Sequence, residues 1–275
     1  MKKYGLIGWP VAHSVSPAMQ NAGFAAASID ANYEKVAVAP QEMDKIIPEM
    51  KESFAGWNCT VPHKQHIIEF LDEIDPLAKA LGSVNTVVNT DGKFKGYSTD
   101  GYGMEISLKE SFNKDIKGSS ILFIGAGGAA RAVALHFALQ GAKRIAIINR
   151  SFEKAEKLQS EIQKLNPSVI TESDTLDCNS LVLDNYEVII QSTSLGLHAD
   201  DPAPFEASRL NSKQLVVDMI YKETAFLKKA KEAGCKTADG EGMLLHQGVK
   251  AWEIWTGKQG PVENMRKALK EALGK

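Results

Sequence analysis

The sequence predicts an α/β fold in two domains, and three observations carry that reading. Apolar runs with strand character alternate with runs of helical period along almost the whole chain. The 275 residues favour two domains over one, on a prior of roughly 100 to 200 residues per domain. One apolar run opens directly into a glycine-rich turn and then a helix, a junction that belongs to doubly wound parallel sheets.

Taken in order, residues 4–8, 33–38, 58–61, 121–124, 144–148, 188–191 and 215–220 read as strands. Amphipathic segments lie between them; in 153–165, Ala155, Leu158, Ile162 and Leu165 follow helical three-and-four spacing. One hairpin interrupts the alternation, with residues 84–90 and 93–100 flanking Asp91-Gly92, a pair suited to a two-residue turn. With that turn, Thr90 faces Lys93, Asn85 faces Ser98 and Ser83 faces Asp100, so Asn85 and Asp100 share a face at the open end. Gly101-Tyr102-Gly103 then reads as a hinge, followed by a helix over 104–111 and by Lys117-Gly118-Ser119 before the next strand. The middle domain is expected to begin there.

Composition narrows the class of ligand. Lys plus Arg (32) nearly balances Asp plus Glu (34), so no overall field draws the chain to nucleic acid or to an anionic membrane, and a small-molecule ligand is expected. Hydrophobic residues make up 44% and charged residues 24%, enough apolar material for substantial cores. Cys59, Cys178 and Cys235 are odd in number and widely spaced, which fits a reducing compartment rather than a disulfide framework. The apolar run after Met1-Lys2-Lys3 stops at Trp9-Pro10, too short for a signal-peptide core, so a cytoplasmic location is expected. No stretch approaches the ~20 apolar residues a bilayer requires. The histidines show no spacing with acids or cysteines that suits a metal, so none is expected.

The strand Ile121-Leu122-Phe123-Ile124 runs into Gly125-Ala126-Gly127-Gly128-Ala129-Ala130-Arg131 and then a helical run over 132–140. In this pattern the first glycine makes the tight turn, the second lets the backbone approach a pyrophosphate, and Ala130 keeps the helix close to the sheet. The helix N-terminus then faces the phosphates. The next strand ends at Asn149-Arg150-Ser151, about 20 residues further on, where an NAD binder carries an acid for the ribose 2′-hydroxyl. Arg150 stands there instead, with Lys154 one turn later. A guanidinium fork suits a 2′-phosphate, so NADP is the expected cofactor.

The flanking regions carry polar groups in positions that invite a ligand. Ser16 before Pro17 reads as an N-cap with proline at the first helical position, whereas Ser14 has no such structural use. Two hydroxyls at a helix N-terminus suit an anionic, hydroxylated ligand. Asn58-Cys59-Thr60-Val61-Pro62-His63-Lys64 ends a strand and opens a helix, placing Lys64 in a first turn where a cation opposes the helix dipole. In the last expected helix, 242–256, Gln247 falls on the apolar stripe and needs partners for its amide; core contact and ligand contact both satisfy it.

Taken together, Ser14-x-Ser16-Pro17, Asn58-x-Thr60-Val61-Pro62-x-Lys64, Val84-Asn85-Thr86, Ser98-Thr99-Asp100-Gly101, Gly125 to Ala129, Asn149-Arg150, Asp218-Met219-x-Tyr221 and Asp239-Gly240-x-Gly242-Met243-Leu244-x-x-Gln247 resemble the shikimate dehydrogenase family over nearly the whole chain. The resemblance implies NADP-dependent, reversible reduction of 3-dehydroshikimate to shikimate within aromatic amino-acid and chorismate biosynthesis. It implies Lys64 as the proton-transfer group with Asp100 beside it, and Ser14, Ser16, Thr60, Asn85, Asp100, Gln247 and Tyr221 around the substrate. Gly125, Ala126, Gly127, Gly128, Ala129, Asn149, Arg150, Ser151, Lys154, Met219 and Gly240 would line NADP. The implied architecture is an N-terminal α/β substrate domain over 1–102, completed by a C-terminal helix returning within 241–275, and a Rossmann-type, doubly wound domain over 103–240. The protein would work as a monomer or homodimer.

Two positions depart from the family pattern: Glu52 to Trp57 replace a glycine-rich segment, and His63 stands where phenylalanine is common. Both are expected at the rim of the substrate pocket. Rival readings are a quinate or dual quinate/shikimate dehydrogenase, against which Ser16 argues, a non-catalytic NADP or shikimate-pathway ligand sensor, against which Lys64 and Asp100 together argue, and a different NADP enzyme with this domain pair.

Overall fold

The computed structural model describes every residue from Met1 to Lys275. Its contacts divide the chain into two compact units, Met1–Gly103 with Leu245–Lys275, and Met104–Leu244.

The first unit is built on β1 (Lys2–Gly8), α1 (Ser16–Ala26), β2 (Ala31–Ala37), α2 (Met43–Ser53), β3 (Gly56–Cys59), α3 (His63–His66), β4 (Glu73–Ile74), α4 (Pro76–Leu81), β5 (Thr86–Thr90) and β6 (Lys93–Tyr97). These strands form one mixed sheet in the order β2-β1-β3-β5-β6-β4. β1, β2 and β3 are parallel, while β5 runs antiparallel to both β3 and β6. One side carries Ile7, Trp57, Cys59, Val87 and Phe94 packed with Met43, Ile47 and Met50 of α2. Elsewhere in the unit Tyr4 lies 5.0 Å from both Phe24 and Trp255, centroid to centroid. The Trp255 indole also donates to the Val87 carbonyl at 3.0 Å, which ties the returning chain to the middle of the sheet.

The hairpin turn forms as its sequence requires. Asp91 (φ 50°) and Gly92 (φ 80°) both take positive φ, as a two-residue turn that matches strand twist demands. Thr90 pairs with Lys93, but the ladder ends at Thr86–Tyr97 instead of continuing to Asn85 and Ser98. Beyond that point the Asn85 side chain takes over, accepting the Thr99 amide at 2.9 Å.

The second unit begins within α5 (Asp100–Phe112) and contains β7 (Ser120–Ile124), α6 (Gly128–Leu139), β8 (Arg144–Ile148), α7 (Phe152–Leu165), β9 (Ile170–Asp174), β10 (Val188–Gln191), β11 (Leu215–Asp218), α8 (Ala225–Glu232) and β12 (Lys236–Ala238). Its six strands are all parallel, in the order β12-β11-β10-β7-β8-β9. The order reverses beside β7, so this is a Rossmann-type doubly wound sheet. β7 is wholly buried, as a central parallel strand must be.

Several expectations are corrected. Residues 101–103 are not a loop: they form the first turn of α5, closed by the Gly103 amide on the Thr99 carbonyl at 2.9 Å, and the division between the two units falls at the end of that turn. Fully buried Met104 and Leu108 on the same helix supply packing that outweighs the low helix propensity of glycine. The helix α9 (Glu241–Thr256) is not the last, because α10 (Val262–Ala272) follows and packs along α1 through buried Met265 and Leu269. Only Met265 and Leu269 of its apolar residues are buried, among five charged ones, a narrow stripe that is easily overlooked. Strands β4, β9 and β12 have no counterpart among the predicted strands, and all three are sheet edges. Half-exposed edges need no continuous apolar run, so Ile170-Thr171-Glu172-Ser173-Asp174 carries little strand signal. No helix is long and apolar enough to cross a membrane.

Candidate functional site

In the first unit, strand direction brings the polar motifs to one edge of the sheet. Ser14 and Ser16 follow the C-terminal end of β1, and Thr60 to Lys64 follow that of β3, its parallel neighbour. Because β5 is antiparallel to β3, Asn58 pairs with Thr86, which brings Asn85 to the same edge; β6 returns there and delivers Thr99 and Asp100. The Lys64 carbonyl accepts the Val84 amide at 2.8 Å, fixing the start of α3 to the hairpin.

At that edge Lys64 Nζ donates to Asp100 Oδ2 at 2.6 Å. The carboxylate is nearly sealed, with 6% of its side chain exposed, whereas Lys64 keeps 20% and is the more accessible member of the pair. Asn85 Nδ2 donates to Asp100 Oδ1 at 2.9 Å and reaches Gln247 Oε1 at 3.5 Å. A buried ion pair is stable only when its remaining polar atoms are met, and Asn85 meets the carboxylate oxygen that Lys64 leaves.

The two serines exchange the roles expected of them. Val15, not Ser16, is the N-cap of α1, and it caps with no side-chain bond. Ser14 Oγ accepts the Ser16 amide at 3.3 Å and donates to Ser16 Oγ at 3.1 Å. Ser16 therefore has no capping duty, while Ser14 has a local one. Helix ends are the boundaries least determined by local sequence.

His63 is not at a rim. It is fully buried, with Nε2 2.6 Å from the Val38 carbonyl, and burial holds its pKa below the usual histidine value. Residues 52–55 precede β3, at the end of that strand away from Lys64. Neither departure lies where it was expected. Cys59, between Asn58 and Thr60, is buried and its thiol pKa is driven well up by that burial.

In the second unit, Gly125, Ala126, Gly127, Asn149, Arg150, Ser151 and Lys154 line one cavity of about 240 Å³ together with Ser192, Thr193 and Ser194. The residues present suit a dinucleotide. Gly125 has φ +110°, and a side chain there would lie 2.9 Å from Ser192 Oγ. A side chain at Gly127 or Gly128 would meet nothing within 4 Å, so this backbone is open to a phosphate. Gly127, the N-cap of α6, makes no side-chain cap, and the first turn holds no acid, which leaves its amides for an anion. Arg150 and Lys154 are exposed at the tip beyond β8. Gly128 and Ala129 open α6 beside the turn.

Met219, Tyr221 and Gly240 do not line that cavity. They belong to the same unit, past the end of β11 and before α9, where Gly240 is so close to the Met219 carbonyl that any side chain would overlap it. The turn there is organised by Asp218, which is fully buried and accepts from Thr224 Oγ1 at 2.7 Å, the Ile220 amide at 3.0 Å and Gln191 Nε2 at 3.2 Å. Burial raises its pKa, the three bonds opposing that shift. The Ile220 bond ends β11 at Asp218, two residues before the predicted end.

Residues 192–194 were not anticipated, although three small hydroxylic residues at the C-terminal end of a buried parallel strand are a legible signal. The Ser192 hydroxyl donates to the Ile124 carbonyl at 2.8 Å and braces the glycine turn. Gly125→Ala is expected to lower folding stability by about 1–3 kcal/mol through left-handed strain and this close contact. Denaturant unfolding beside an NADP titration checks it, and unchanged values in both would contradict the geometry.

Three family models match the chain: the shikimate dehydrogenase substrate binding domain over residues 6–87, shikimate/quinate 5-dehydrogenase over 107–220, and the shikimate 5′-dehydrogenase C-terminal domain over 240–270. The shikimate dehydrogenase (NADP(+)) of Desulforamulus reducens is 42% identical over 279 aligned residues, covering 98% of this chain and 95% of that protein. A crystal structure of a shikimate dehydrogenase in complex with NADP+ is 39% identical and superposes with a TM-score of 0.93, over 100% of this chain and 96% of that one. The shikimate 5-dehydrogenase of Listeria monocytogenes, solved with shikimate and NAD, is 35% identical with a TM-score of 0.91, over 98% and 96% of the two chains. With its motifs, its sheet order and its relatives in agreement from end to end, the chain belongs to the shikimate dehydrogenase family.

Proposed function

We propose that the protein is an NADP-dependent shikimate dehydrogenase, reducing 3-dehydroshikimate reversibly to shikimate. The observation that carries this reading is the Lys64–Asp100 pair at 2.6 Å, in which Lys64 is the more exposed partner. Bound NADPH supplies the hydride. Lys64 holds the proton: as an ammonium it gives it to the substrate oxygen during reduction, and as a neutral amine it takes it back during oxidation. Asp100 keeps the ammonium in place, and Asn85 and Gln247 hold hydroxyls of the ring. Ser14, Ser16, Thr60 and Tyr221 complete the substrate contacts, with Ser16 free of capping duty to meet the carboxylate.

On this reading residues 1–102 with 241–275 bind substrate and 103–240 bind NADP. Gly125 to Ala129 receive the pyrophosphate; Asn149 to Ser151 and Lys154 surround the ribose phosphate; Met219 and Gly240 bound the nicotinamide end. The enzyme works in the cytoplasm as a monomer or homodimer.

Formation of NADPH from shikimate, followed by its absorbance, tests the proposal, with quinate and NAD run in parallel. Turnover of shikimate with NADP well above the other three pairings is the expected result. Comparable turnover of quinate would move the assignment to a dual enzyme, and no turnover of shikimate would overturn it.

A further inference from the structure

Asp100 and Lys64 do not sit alone at their edge. Behind them runs an unbroken series of buried hydrogen bonds in which every donor and acceptor is assigned by its neighbours. The Tyr33 hydroxyl donates to Asn58 Oδ1 at 2.7 Å. Asn58 Nδ2 donates to the Asn85 carbonyl and to Thr86 Oγ1, both at 3.0 Å. Thr86 Oγ1 donates to Asn85 Oδ1 at 3.0 Å, and Asn85 Nδ2 donates to Asp100 Oδ1 at 2.9 Å. Tyr33, Asn58, Asn85, Thr86 and Thr99 are all buried, Thr86 completely.

The direction of this series follows from groups that have no choice. The Asn85 carbonyl can only accept, so Asn58 must turn its amide nitrogen toward it and its oxygen toward Tyr33. Burial raises the Tyr33 pKa well above that of a free phenol, so its hydroxyl keeps its proton and remains a donor. Asn58 Nδ2 then donates to Thr86 Oγ1, which leaves the single proton of that hydroxyl for Asn85 Oδ1. The Thr99 amide, which can only donate, reaches the same Oδ1 at 2.9 Å. With its oxygen held by both, Asn85 presents nitrogen to Asp100 and cannot flip.

We infer that Thr86 and Tyr33 are positioning residues: through Asn58 and Asn85 they fix the Asp100 carboxylate so that Oδ2 meets Lys64, although neither need touch substrate. The inference rests on the reading of Lys64 and Asp100 given under the proposed function. A flipped or swinging Asn85 would set its carbonyl against the carboxylate, and the released Asp100 would carry Lys64 out of line. Alignment errors of this kind cost turnover without weakening cofactor binding.

The test compares kcat, the KM values for shikimate and NADP, and thermal midpoints for the full-length protein and its Thr86→Val, Thr86→Ser, Tyr33→Phe, Asn85→Ala, Asn85→Ala/Thr86→Val and Lys64→Ala variants. Valine keeps the shape of threonine but loses the hydroxyl, so kcat is expected to fall about tenfold with the NADP KM unchanged. Serine keeps the hydroxyl and is expected to stay within about twofold of the parent, while Tyr33→Phe, two bonds further back, falls about threefold. Adding Thr86→Val to Asn85→Ala is expected to cost nothing more, because both act through one amide.

A Thr86→Val enzyme with full kcat, a serine variant no better than valine, or additive losses in the double variant would overturn the inference. If Thr86→Val does not fold, Tyr33→Phe decides, and an unchanged kcat there overturns it. An active Lys64→Ala enzyme would instead remove the role given to Lys64, on which the inference rests, whereas an inactive one beside a fully active Thr86→Val would remove only the positioning role.

Discussion

Lys64→Ala is expected to lower kcat by about a hundred- to ten-thousandfold, the range that loss of a positioned proton-transfer group produces. The NADP KM should hold within a factor of about two, because the residues proposed to bind the cofactor belong to the other compact unit. Removing the ammonium also leaves Asp100 without its cation, although Asn85 still donates to it. Some loss of thermal stability is therefore expected, and circular dichroism separates unfolding from lost chemistry. Lys64→Arg keeps the charge but replaces a compact donor with a wide fork that does not release its proton, so it too should be nearly inactive. A folded Lys64→Ala enzyme with near-normal turnover would show that the proton travels by another route.

The second large effect is expected in cofactor choice. Arg150→Ala should raise the KM for NADP about ten- to hundredfold, the value of a charge-assisted pair with phosphate, and leave the KM for NAD little changed. Arg150 is exposed just beyond β8, and no acid stands at that tip to receive a ribose hydroxyl. Lys154 lines the same cavity, so it should retain part of the preference in the single variant and lose it in the double. Steady-state kinetics with both cofactors at rising salt provides the check, since the phosphate contribution is screened and the rest is not. Equal changes for NADP and NAD would mean that Arg150 acts on the loop rather than on the phosphate.

What could be read in advance, and what could not, divides along a physical line. The glycine turn was legible because its constraints are local: Gly125 must take positive φ directly after a buried strand. The Asp91-Gly92 turn was legible for the same reason, and it set the register that carries Asn85 and Asp100 toward one another. The edge strands β4, β9 and β12 were not, because one neighbouring strand suffices to hold an edge and no apolar run need announce it. The helical state of Gly101 to Gly103 was equally hidden, since it depends on burial of Met104 and Leu108 further along the helix.

The chain order alone was enough for the alternation of strands and helices, the dinucleotide turn and the missing acid at Arg150, because each rests on residue type and short spacing; the nearness of Lys64 to Asp100, 36 residues apart, was implied only by the family resemblance. Contacts between residues far apart in the chain were needed to bury His63 against Val38, to set Ser192 behind Gly125 and to join Tyr33 and Asn58 to the Asn85–Thr86 pair. A hydrogen bond is directional and short in range, so the order of residues shows which groups can donate or accept. Only the folded chain, by placing those groups within about 3 Å of one another, determines which of them do.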